Sequence, residues 1–198
     1  MPPSGPQLSP PAGNGRARPV TPERGAWLAF RLAGRRLALP LADISRVLAL
    51  PLLQPPVGAP GFVEGFFDFE GTPVAALRLD RLLRLEEKPM GVYSALLVLR
   101  DPTPPIALHV ASVDSIVKTV GTDIQPIQRD GTVNACVTGR VNRDGETLYL
   151  LSTADLLLAE ERARLASLHS MKQQRLAALA GPAGSPGEPG SGETACAS

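Results

Sequence analysis

The sequence predicts a mainly β protein, two small β-barrels packed side by side with a C-terminal α-helix. Three observations carry this expectation. Between two Pro/Gly-rich ends the chain consists of short apolar runs separated by turn residues, the pattern of strands and hairpins. The second half of that core repeats the first. The stretch 153–180 contains neither glycine nor proline and is built from Ala, Leu, Glu, Arg, Gln and Lys, which favour helix.

The elements follow in order. Residues 1–25 hold seven prolines and four glycines with only Leu8 and Val20 as sizeable aliphatic residues, too little apolar surface to offset the entropy of ordering, so this tail reads as disordered. "WLAFRLAGRRLALPL" (Trp27–Leu41) is two apolar runs around Gly34, a hairpin. In "ADISRVLAL" the spacing of Ile44, Val47 and Leu48 fits either one helical turn or a short bulged strand. Four prolines make "PLLQPPVGAPG" an irregular connection. "FVEGFFDFEGTPVAALRL" is a second hairpin, with Gly71 as its turn residue, and "LDRLLRLEE" a helical turn with Leu79, Leu82 and Leu83 facing inward. "VYSALLVLR" is a strand, "DPTPP" a turn, and "IALHVASVDSIVKTV" alternates Ile106, Leu108 and Val110 with Ala107, His109 and Ala111. The helix begins near Thr153, a capping-type residue, and 161–180 extends it past the core; residues 181–198 form a second Gly/Pro/Ser-rich, disordered tail. One side of the helix is loosely apolar and is expected to pack on a barrel.

The repeat is direct. Residues 62–87 lie without gaps over 136–161, and Val63, Gly65, Gly71, Leu77, Leu82, Leu83, Glu86 and Glu87 each meet an identical residue. Eight identities stand against roughly two expected from ordinary residue frequencies. "RLALPLADISRVLAL" from Arg36 and "PIALHVASVDSIVKT" from Pro105 share an apolar pattern at an offset of 69. The folded core, 26–160, is therefore read as two copies of one unit, about 27–87 and 92–161. Gly65, Gly71, Gly139 and Gly145 are taken as its structural turn glycines. The longer middle of the second copy, "GTDIQPIQRDGTVNA", reads as a loop with an extra strand.

Composition narrows the function. Twenty basic residues balance nineteen acidic ones, for a net charge of +1, so no general field calls for nucleic acid. No stretch approaches eighteen uninterrupted apolar residues and the N-terminus lacks a secretory apolar core, so no membrane insertion and a cytoplasmic location are expected. Cys136 and Cys196 form no disulfide framework. On one strand Asp68 and Glu70 would lie about 7 Å apart, the spacing of a carboxylate pair in a glycosidase; beside a turn glycine, acidic residues are ordinarily solvent-facing. His109 reads as a core or edge residue, His169 as a residue on a polar helix face, Cys136 as a small buried residue. Two histidines and two scattered cysteines have no metal-ligand spacing, and there is no phosphate loop. No cofactor, metal or catalytic residue is assigned; elimination leaves a binding module.

The chain resembles the CheW-like domain family, adaptors of bacterial chemotaxis. The resemblance lies in "WLAFRLAGRRLALPLADISRVLAL" with Pro40, in "PPVGAPGFVEGFFDFEG" with Pro56, Val57, Pro60, Val63, Gly65 and Gly71, in "IALHVASVDSIV", and in "VTGRVNRDGETLYLLSTADLLL". It implies two five-stranded SH3-like barrels and a non-catalytic adaptor. Its implied partners are the regulatory domain of a histidine autokinase and the cytoplasmic tip of methyl-accepting chemoreceptors. By resemblance the receptor-facing residues are Val47, Glu64, Asp68 and Glu70, and the kinase-facing ones Phe30, Arg31 and Arg46. Glu64 and Glu70 stand where the family has arginine, Asp68 where it has asparagine, and Ala75 and Arg78 where it has proline and aspartate. Changed surface charge redirects partner choice more than fold. A scaffold for a pilus or other two-component pathway is the alternative, and a carboxylate-pair hydrolase a more distant one.

Overall fold

The computed structural model describes residues 25–56, 58–120, 123–127, 135–143 and 145–180, without the side chains of 179 and 180. Residues 1–24 and 181–198, read above as disordered, and Cys196 lie outside these residues.

β1 (Gly25–Leu32) and β2 (Arg35–Pro40) form the first hairpin, turned at Ala33 and Gly34, both in the left-handed region. After a 3₁₀ turn (Leu41–Asp43) comes β3 (Ile44–Ala49), a bulged strand rather than a helical turn, with a register shift between Ile44 and Arg46. β4 (Val63–Phe69) and β5 (Thr72–Arg78) form the next hairpin, followed by the one-turn helix α1 (Leu79–Leu82). The second half supplies β6 (Ala95–Leu99), β7 (Ile106–Val110), β8 (Ser112–Thr119), the two-residue β9 (Gln125–Pro126), β10 (Val137–Arg143) and β11 (Glu146–Leu151). The long helix α2 spans Ala159–Ala180.

The expected pair of closed barrels is not what these strands build. They form two mixed sheets, a six-stranded sheet ordered β8-β1-β2-β11-β10-β9 and a five-stranded sheet ordered β3-β6-β7-β5-β4, called A and B below. Neither closes: among the described residues no pairing joins the two ends of either sheet. Both curl nonetheless. Val117 of the edge strand β8 and Val141 of β10, next to the other edge of sheet A, lie in one cluster with Trp27 and Leu148, and Arg143 Nη1 donates to Lys118 O at 3.4 Å across the gap. In sheet B, Leu48 of β3 and Phe69 of β4 pack against one cluster that contains Phe67, Val74, Leu96 and Val98.

Each sheet mixes both halves of the chain. Hairpin β1–β2 is inserted among second-half strands, and β6–β7 among first-half strands. The two insertions are joined by parallel pairings, β2 with β11 and β5 with β7. Tyr149 faces Leu37 at one joint and Ala75 faces Ile106 at the other, positions related by the offsets of 74 and 69 seen in the sequence. Between the sheets lies a shared core containing Phe30, Leu39, Leu77, Leu97, Leu108, Leu151 and Leu156. Burying a leucine or phenylalanine contributes about 1.5–3 kcal/mol, so this layer dominates stability.

α2 begins at Ala159 rather than near Thr153. Leu156 and Leu157 are drawn into the shared core, and the Thr153 hydroxyl donates to the Asp43 carboxylate. The Glu161 carboxylate then reaches back to accept the Leu158 amide at 2.8 Å, satisfying a free donor at the helix start.

Of the four turn glycines, Gly71 (φ +80°) and Gly145 (φ +77°) occupy turns, whereas Gly65 and Gly139 lie within β4 and β10 beside register shifts. Their role is close approach. A Cβ at Gly65 would sit 2.8 Å from Leu53 Cβ, and one at Gly139 2.8 Å from Ile124 Cγ2. The segments they admit add one more edge to each sheet, the Gln54–Phe66 bridge in B and β9 in A. Gly65→Ala and Gly139→Ala are each expected to lower stability in urea unfolding by about 1–3 kcal/mol through overpacking. Gly61→Ala, which meets nothing within 4 Å, is the control expected within about 0.5 kcal/mol of wild type.

Candidate functional site

Curling brings the two edges of sheet B to the sides of one groove. On one side the start of β3 is fixed by Arg100, whose Nε donates to Ala42 O at 2.8 Å and Nη2 to Ile44 O at 3.3 Å, and by Ser45 Oγ, which donates to Val98 O at 3.1 Å. On the other side is the β4–β5 turn, with Glu70 (φ +54°) and Gly71 in left-handed conformations. Asp68 Oδ1 accepts the Gly71 amide at 3.0 Å and braces that turn. The groove between them has a volume of about 550 Å³ and is lined by Ser45, Phe69, Glu70, Thr72, Val98 and Arg100. Phe69 sits edge-on to Phe67, with ring centroids 6.5 Å apart.

This geometry removes the carboxylate-pair expectation. Glu70 has left the strand, so the strand spacing assumed above does not apply to it, and Asp68 is engaged by its own turn. Both are exposed. Among the described residues the groove offers an apolar floor, the carboxylates of Glu70 and Asp101 and an arginine committed to backbone carbonyls, an arrangement that suits binding.

Glu64 is placed differently from Asp68 and Glu70. The β4 bulge turns it toward β7, where Glu64 Oε2 lies 2.6 Å from His109 Nδ1. His109 is 1 % exposed, and its Nε2 has no partner among the described residues. Beside it Arg78, the register neighbour of His109, grips Asp80 through Nε at 2.9 Å and through Nη2. Burial opposes ionisation of Asp80, but the hydrogen bonds from Arg78, its charge, and the Arg81 amide outweigh burial and hold the carboxyl below the ordinary value. The same bond to Asp80, stronger than the opposing burial, raises Arg78 further. Glu64, His109, Arg78 and Asp80 thus form a polar plug linking β4, β5, β7 and α1. His109, read as a core or edge residue, is buried; the pairing of Glu64 with it and of Arg78 with Asp80 is what the sequence left unread, and the charges at 64 and 78, opposite in sign on adjacent strands, were the available signal.

Val47 is 46 % exposed on β3, and Arg46 beside it is exposed. Phe30 departs from its expected kinase-facing role, because its ring is fully buried in the shared core and presents no surface. Arg31 is half-exposed within an ion cluster, 3.3 Å from Asp114 and 3.1 Å from Glu146, which Arg36 shares. His169 is not on a polar face: it is buried, with Nε2 2.8 Å from Pro73 O. Cys136 is buried, and desolvation pushes its thiol up to about 11, which leaves it an inert packing residue.

A family profile described as the CheW-like domain matches residues 26–161. No curated protein matches the chain. Among solved structures, the scaffolding protein TtCheW from Thermoanaerobacter tengcongensis is similar at 17 % identity and a TM-score of 0.63, over 71 % of this chain and 92 % of that one. The chain belongs to the CheW-like domain family, non-catalytic scaffolds of signalling systems. Among the described residues no three His, Cys, Asp or Glu lie together to hold a metal ion, and no helix is long and apolar enough to cross a membrane.

Because the Asp80 pKa is lowered in the folded state, its stabilisation is present above the ordinary aspartate value of about 3.8 and is lost as pH falls through the folded value. Urea unfolding of wild type from pH 6 to pH 2.5 is therefore expected to show an acid-limb loss that Asp80→Asn lacks. Equal acid slopes for the two proteins contradict the assignment.

Proposed function

We propose that this chain is a non-catalytic cytoplasmic adaptor that couples chemoreceptors to a histidine autokinase. The observation that supports the reading most is the CheW-like match over 26–161, a span that takes in the strands of both sheets. The receptor-facing surface proposed is the groove side of sheet B, with Val47 on β3 and Asp68 and Glu70 at the β4–β5 turn. Glu64 contributes through His109, by fixing the position of β4, rather than by presenting charge. Arg31 and Arg46 are the kinase-facing residues retained. Two exposed carboxylates on the turn favour a receptor segment with basic or amide donors.

The same acidic turn motivates the second reading, a scaffold of the same fold serving a pilus or other two-component pathway, since partner choice follows surface charge. Retention of the full chain by immobilised receptor cytoplasmic fragments and by the kinase regulatory domain separates the two. Wild type is expected to be retained by both, and Glu70→Arg to weaken receptor retention about tenfold, or ~1.4 kcal/mol, with an unchanged melting temperature. Unaltered retention of Glu70→Arg removes Glu70 from the contact, and failure of wild type on both partners turns the assignment to the second reading.

A further inference from the structure

α2 continues past the end of the family match at 161 and carries a second surface away from the β3–β4 groove. Leu165 is buried in the shared core and His169 meets Pro73 O at 2.8 Å, which fixes the helix against β5 of sheet B. Leu168, Met171, Lys172 and Arg175 recur at i, i+3, i+4 and i+7, on one helix face. That face and the proline segment after β3 enclose a groove of about 300 Å³.

The groove has an unusual balance of polar groups. Its floor is apolar, made by Phe66, Leu168, Met171 and the rings of Pro55 and Pro56. Among the described residues the backbone of 54–56 has no donor to offer: Gln54 N and O are both used by Phe66, at 2.9 and 3.0 Å, and proline has no N–H. The remaining donors are side chains, the Lys172 ammonium, which also donates to Gln54 Oε1, the Gln54 amide nitrogen and the Arg175 guanidinium. Among the described residues no carboxylate lines the groove. From Arg162 to Ala180 every charged residue of α2 is basic.

A ligand for such a groove must supply negative acceptors at the rim and an apolar group for the floor. We propose that the groove between α2 and residues 54–56 docks an acidic, extended peptide segment of a partner protein, inserting one apolar side chain between Phe66 and Met171. Its carboxylates pair with Lys172 and Arg175. A membrane surface fits less well, because the basic groups rim a concavity that a bilayer face does not enter. This surface is distinct from the one proposed for the receptor, so its failure leaves that assignment standing.

The test uses the full chain and a fluorescein-labelled hexapeptide alternating glutamate and leucine, read by anisotropy. The lysine–leucine counterpart and phosphatidylserine-containing vesicles serve as comparison probes. The acidic peptide is expected to bind, with amide shifts confined to 54–56, 66 and 168–175. The double substitution Lys172→Glu with Arg175→Glu is expected to weaken it at least about tenfold, and raised salt to weaken it further. Lys172→Gln with Arg175→Gln gives the same reading should the charge-reversed chain melt early. No binding of the acidic peptide, equal binding by the substituted chains, or vesicle binding that outcompetes the peptide each overturns the proposal.

Discussion

Two parallel strand pairings hold this molecule together. β2 with β11 and β5 with β7 are the only parallel joints among the described strands, and each ties a hairpin from one half of the chain into a sheet of the other half. Neither half can form its sheet from its own strands. The inward faces of both sheets meet in one core, so loss of one joint exposes leucines that both sheets bury. The shared registry of the joints, Tyr149 on Leu37 and Ala75 on Ile106, means that the same constraint is solved twice.

From this constraint follows where the molecule can bind. Sheets left open have edges, and an edge presents unpaired backbone that must be covered or used. The β4 edge is covered by the Gln54 bridge, and α2 packs against the neighbouring β5, leaving the β4–β5 turn to project the Asp68 and Glu70 carboxylates. The β3 edge keeps Arg46 and Val47 exposed next to Ser45, the β3 residue that lines the same groove. The polar plug of Glu64, His109, Arg78 and Asp80 sits at the other end of β4, where it fixes the strand and withdraws one carboxylate from solvent. Binding surface and structural charge are thus separated along a single strand.

Much of the strand order was legible because turn chemistry and glycines are local signals. Gly34, Gly71 and Gly145 mark turns, and the match of 62–87 to 136–161 reports a repeated unit whose equivalents occupy equivalent places in the two sheets. Barrel closure was misjudged because apolar alternation says that a strand has a buried face, not which strand it lies beside. Gly65 and Gly139 were read as turn residues because a glycine needed for close approach looks the same in sequence as one needed for positive φ. Phe30 was placed on a surface by resemblance, although its alternation with Leu28 and Leu32 already marked a core face. The bulge that turns Glu64 onto His109 joins residues 45 apart in the chain, and no local pattern announces it.

The interdependence of the two sheets is tested most directly by native-state hydrogen exchange on the intact chain across low concentrations of urea. Amides of β1 and β2 in one sheet and of β6 and β7 in the other are compared for opening free energy and its urea dependence. A common free energy with a common slope, equal to global unfolding, is the expected result. One sheet exchanging at lower free energy and with a smaller slope while the other stays protected contradicts the claim that they stand on a single core.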